Sequence, residues 1–146
     1  MKKLRTLFVS FENELDGVPI SVFRAAIIEK VGRQHVLFHN HLGEEEFIYR
    51  YPLIQYKRAG NRCAILCVSE GVDALHAFFD KVNWSVDLLG RKEQLRVESL
   101  HLQSHDLYVN GSLHPYKIFR WQGLNEQNYR QFLAVDSLSD RVQMLE

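Results

Sequence analysis

At 146 residues the chain is long enough for one domain with a real core and too short for two large ones. Apolar residues make up 46% and charged residues 25%, the balance of an ordinary globular protein. Lysine plus arginine equals aspartate plus glutamate at 18 each, so net charge carries no nucleic-acid signature and any phosphate-binding surface has to be a local patch.

Leu4–Phe11 alternates, with Leu7, Val9 and Phe11 on one side, and predicts a first strand. Asp16-Gly17 turns the chain, Pro19 suits the first turn of a helix, and Gly32 is placed to stop it. Between them Ile20, Phe23, Ile27 and Val31 recur at helical spacing. Tyr49–Arg58 then reads as a strand whose early Pro52 marks an edge or a bulge, and Ala59-Gly60-Asn61-Arg62 is a hairpin turn. Cys63–Val68 is apolar on both faces, as in a central strand; its two cysteines read as buried, reduced thiols. Ser69 can cap a second helix with Val72, Leu75, Phe78, Phe79 and Val82 as its buried stripe.

Another strand is expected within Trp84–Leu89 or Leu95–Leu102. The order is then β-α-β-β-α-β, an α+β ferredoxin-like fold with two helices on one face of an antiparallel sheet. Asn110-Gly111 predicts an additional hairpin with Tyr116–Trp121 as its return strand. A last helix is expected to begin near Asn125, where Leu124 and Tyr129 can staple the cap. Residues 1–146 are read as a single domain, and with no signal peptide or long apolar span a cytoplasmic location is expected.

The pentapeptide His39-Asn40-His41-Leu42-Gly43 carries the chemistry. Two imidazoles with reference pKa values of about 6.5 can each donate or accept a proton near neutrality. RNA is cut without a metal when its own 2′-hydroxyl attacks the neighbouring phosphate, which requires a base, an acid and cations. Lys57, Arg58 or Arg50 can supply charge, and Tyr49 or Tyr51 a hydrogen bond or a stacking face. The reading needs both rings exposed side by side over a basic groove. Glu44-Glu45-Glu46 would repel RNA and is expected to cap a short helix or face solvent.

Two rivals come from other classes. A histidine pair is also half of a metal site, although none of Glu44, Glu45, Glu46, His35, His101 or His105 has a recognisable ligand spacing to it, so no metal and no cofactor is expected. A ferredoxin-like module can also grip RNA or dock on a protein without cutting. Trp84 and Trp121 read as packing residues, and His35, His76, His101, His105 and His114 as structural or surface groups.

Phe38-His39-Asn40-His41-Leu42-Gly43, then Tyr49–Lys57, and the later Trp121-Gln122-Gly123-Leu124-Asn125-Glu126-Gln127-Asn128-Tyr129 resemble the CRISPR-associated repeat-processing endoribonucleases of the "b" subgroup. The resemblance implies a metal-independent ribonuclease that cuts repeat RNA in a precursor transcript. It implies His39 and His41 as the catalytic pair, with Tyr49 a further catalytic candidate and Tyr51 and Lys57 at neighbouring motif positions. Its partner would be CRISPR repeat RNA, with neither a membrane nor DNA required. Family members usually carry a second ferredoxin-like domain with a glycine-rich loop; the eight glycines here are scattered, so that domain is expected to be absent or truncated, its place supplied by a missing domain or a homodimer partner.

Overall fold

The computed structural model describes residues 2–39, 51–108, 110–115, 117 and 126–144. They form two compact units, Met1–Val109 and Asn110–Glu146.

In the first unit a four-stranded antiparallel sheet is built from β1 (Lys2–Glu14), β2 (Ile54–Ala59), β3 (Arg62–Val68) and β6 (Val97–Leu107), in the order β2-β3-β1-β6. That is the ferredoxin-like order expected from the sequence, with β6 as its fourth strand. β1 runs longer than Leu4–Phe11 because both neighbours pair with it, and its register shifts after Ser10 against each of them.

Alternation decides which face is buried. Val9 and Phe11 of β1, Cys63, Ile65 and Cys67 of β3, and Ile54 of β2 point the same way into one core. Helix α1 (Ile20–Val31) covers that face, starting after Pro19 and ending at Gly32 as the sequence predicts. Gly32 has φ 101°, the left-handed region that a glycine reaches without a Cβ penalty. Phe11 sits edge-on to Phe23 of α1 at 5.9 Å between ring centroids and to Phe78 at 6.3 Å. Each such ring removed from water stabilises the fold by about 1.5–3 kcal/mol.

The second helix departs from expectation. It is two short pieces, α2 (Glu70–Ala74) and α3 (His76–Phe79), joined at Leu75. Ser69 lies at φ 51° and makes no side-chain cap; its backbone N–H instead donates to the Arg5 carbonyl at 2.8 Å. Val72, Leu75 and Phe78 are buried as expected, but Val82 is fully exposed. The helix ends early because Phe78 and Phe79 both pack on Trp84, at 5.5 and 5.4 Å, and the chain must reverse in the few residues between. Trp84 is thus a packing residue.

Both segments proposed to hold the next strand are strands. β4 (Ser85–Leu88) and β5 (Arg91–Gln94) form an inserted hairpin whose Val86 and Leu88 join the core, and β6 follows it. Gly71 is set by close approach: a Cβ there would stand 2.3 Å from the Leu53 carbonyl oxygen.

In the second unit, α4 (Glu126–Ala134) and α5 (Leu138–Gln143) replace the single terminal helix expected. Ser137 caps α5 by accepting from the Asp140 N–H, and Arg141 lies 5.5 Å from the Phe132 ring while donating to the Val135 carbonyl. Of the expected return strand Tyr116–Trp121 only Lys117 is among the described residues, where it is irregular, and the staple residue Leu124 falls outside them. No helix of the described residues is long and apolar enough to cross a membrane.

Candidate functional site

After Gly32 the chain makes one 3₁₀ turn, Val36–Phe38, and delivers His39 at its end. Phe38 is buried in the core, which draws the turn inward, and His39 goes with it at 8% exposure. The open ring expected from the sequence is therefore a nearly buried one. Its Nε2 lies 2.7 Å from the Arg33 carbonyl oxygen. A carbonyl only accepts, so Nε2 carries the hydrogen and the lone pair of the neutral ring sits on Nδ1.

Tyr56 pins this turn to the sheet. It stands on the core face of β2, edge-on to Phe23 at 6.0 Å, and its hydroxyl donates to the Phe38 carbonyl at 3.1 Å. Burial pushes its phenol well above the ordinary range, against the opposing positive charge of Arg24, so it stays a neutral donor.

A cleft of about 410 Å³ opens beside His39, between α1, the 3₁₀ turn and β2. Leu37, Pro52 and Ile54 supply apolar wall, while Ser21, Arg24, Gln55 and Lys57 supply polar groups. Two of these are cations and, among the described residues, no carboxylate lines it. Consecutive residues Ile54 to Lys57 all line it, so the cleft runs along β2 itself, an edge strand of the sheet among the described residues.

The structure thus brings His39 and Lys57 to one cleft. Tyr51 stands nearby, 68% exposed, its hydroxyl accepting from the Gln55 side chain at 3.0 Å, with Gln55 also donating to the Pro52 carbonyl at 3.1 Å. Arg58 does not join them. It follows Lys57 on the alternate side of β2, and its guanidinium donates to the Val18 carbonyl, tying the strand to the start of α1. His41, Tyr49, Arg50 and Glu44-Glu45-Glu46 lie outside the described residues.

The other described histidines of the first unit do not line the cleft. His35 packs on Phe38 at 6.4 Å, His105 Nε2 lies 3.0 Å from the Thr6 hydroxyl, His114 is 3.3 Å from the Asn110 side chain, and His76 and His101 are exposed. Among the described residues no three His, Cys, Asp or Glu side chains gather as a metal cluster. Cys63 and Cys67 are buried and unbonded, and burial pushes their thiols up to about 11 and about 12.

Sequence reasoning missed Arg24 and the role of Tyr56. Arg24 follows Ile20 by one helical turn, on the shoulder of the apolar stripe, and that spacing was the available signal.

The fold has a solved counterpart. A structure described as the crystal structure of Cas6b matches with a TM-score of 0.62 at 20% identity, over 99% of this chain and 66% of that one. At this identity the likeness establishes the fold, and the chain spans about two thirds of that protein's length. No curated protein matches. The model of the Cas6b N-terminal domain matches residues 2–106, most of the chain and nearly all of its first unit. With the strand order and that match in agreement, this chain belongs to the Cas6b N-terminal domain family, a family of CRISPR repeat processing.

Proposed function

We propose that the chain is the catalytic N-terminal part of a metal-independent endoribonuclease that cuts precursor CRISPR RNA within its repeats. The observation that carries the reading is His39, its tautomer set by Arg33, on the wall of a cleft with two cations and no carboxylate among the described residues.

In the proposed reaction the 2′-hydroxyl attacks the adjacent phosphorus and the bond to the 5′-oxygen breaks. One imidazole takes the hydroxyl proton and the other returns a proton to the leaving oxygen. The upstream product ends in a 2′,3′-cyclic phosphate and the downstream one in a 5′-hydroxyl, with no water consumed. His39, with its lone pair on Nδ1, and His41 share these transfers. Lys57 offsets charge growing on the phosphoryl oxygens, Tyr49 joins the histidines as a catalytic hydrogen-bonding group, and Arg50 and Tyr51 contribute to RNA contact.

A specific observation favours a second reading. At 8% exposure His39 is well placed to hold its turn, which is what an RNA-gripping module without cleavage would ask of it. The two readings separate in one experiment: a panel of CRISPR repeat RNAs incubated with the protein in chelator. Cleavage leaving a cyclic phosphate, slowed by roughly 10² to 10⁴ in His39→Ala and in His41→Ala, supports the nuclease. Unchanged cleavage by the double variant refutes the histidine mechanism, and retarded but intact RNA selects the binding module.

A further inference from the structure

We infer that Arg24 is a phosphate-binding residue of this cleft, seating the ribose-phosphate backbone of single-stranded RNA from the helix side while Lys57 holds it from the strand side. The inference rests on the RNA reading above and deepens it.

Arg24 lines the cleft from α1, and Lys57 lines it from β2, with His39 on the turn that joins the two walls. Two guanidinium groups of the first unit are held by carboxylates, Arg5 by Asp73 at 2.5 Å and Arg62 by Glu98. Among the described residues Arg24 has none. It acts electrostatically on the Tyr56 phenol, which burial keeps neutral. A half-buried cation with no counter-charge among the described residues, on a cleft that also has apolar wall, suits an anionic ligand.

The shape selects among anions. The wall beside Arg24 is apolar at Leu37, Pro52 and Ile54, which suits a ribose and base better than inorganic phosphate alone. A planar guanidinium can hold two phosphate oxygens at once, whereas the lysine opposite acts as a point charge. With a chain net charge of zero, attraction for RNA depends on such local pairs of cations.

The test compares wild type, Arg24→Ala, Arg24→Gln and Arg24→Lys, with Lys92→Ala on the exposed β5 strand as a remote cation control. Binding of a CRISPR repeat RNA is titrated at several salt concentrations in chelator. If the wild type cuts, the RNA carries a 2′-deoxy residue at the mapped cut position; if it does not, the unmodified RNA serves directly. Removing one phosphate contact should weaken binding about tenfold or more and reduce the slope of log affinity against log salt by about 0.7. Arg24→Lys should keep the slope while losing part of the affinity, and Lys92→Ala should change neither. Melting curves establish that each variant folds, and Arg24→Gln, which keeps most of the stem, carries the test if Arg24→Ala does not.

Wild-type affinity and slope in folded Arg24→Ala or Arg24→Gln overturn the inference even if the RNA is still cut. RNA bound with an Arg24-dependent slope but never cut upholds Arg24 and removes the nuclease reading. A wild type that binds no repeat RNA at low salt overturns both.

Discussion

The fold contains two strand-helix-strand halves, and they use the same connection differently. In the first, α1 is an unbroken helix of 12 residues, and the chain between it and β2 carries His39 along one wall of the cleft. In the second, the helix is broken into α2 and α3, and the chain between it and β6 folds into the β4-β5 hairpin, whose Val86 and Leu88 fill the core. One crossover brings polar groups to a wall; the other closes over hydrophobic surface. The lesson is that a ferredoxin-like scaffold supplies two equivalent places for chemistry, and side chains at the helix ends decide which stays open.

The comparison can be broken most sharply by exchanging damage between the halves. His39→Ala should slow cleavage of repeat RNA by roughly 10² to 10⁴ while leaving the melting transition cooperative. Phe78→Ala, in the second half, should cost about 3–5 kcal/mol of stability by urea unfolding, yet the folded fraction should keep its rate per molecule. A Phe78→Ala protein that is folded but catalytically dead would erase the division of labour.

A milder probe is pH. Burial raises the thiols of Cys63 to about 11 and Cys67 to about 12, from 9.0 in the unfolded chain. Below pH 9 both states keep the protons and the thiols contribute nothing. Above it the unfolded chain ionises while the folded one does not, so stability falls as pH rises from 9 towards 12. Urea midpoints at pH 8 and pH 10 should differ more in wild type than in Cys63→Ala/Cys67→Ala, in reductant throughout.

Smaller effects sharpen the picture. Tyr56→Phe removes the hydroxyl that holds the Phe38 carbonyl, costing about 1 kcal/mol. Because that bond fixes the residue before His39, cleavage should slow several-fold beyond what the melting shift explains. Val82→Ser, at a fully exposed position, should stay within about 0.5 kcal/mol of wild type and serves as the null control.

Much of this was legible in the sequence for stated reasons. Pro19, Gly32 and the Ile20-Phe23-Ile27-Val31 spacing are local signals, and α1 ends where they say. Cys63–Val68 reads as a central strand because every position in it is apolar, and β3 lies between β2 and β1. The break at Leu75 and the inserted hairpin were not legible, because they depend on Phe78, Phe79 and Trp84 meeting across a reversal that no local period encodes. At the site, Lys57 lines the cleft from β2, but the inward pull of Phe38 on His39 and the tie of Arg58 to Val18 are tertiary events that no local pattern encodes. Arg24 was not legible because a charged residue on the shoulder of a helix's apolar stripe has the same pattern as one on a solvated face.

The bond from Tyr56 to the Phe38 carbonyl has a thermal consequence. It fastens the histidine turn to a ring packed on Phe23, so the turn is expected to melt together with the sheet. Heating should therefore leave the geometry around His39 unchanged until the whole sheet gives way, and any RNA processing should rise with temperature and then stop abruptly rather than fade.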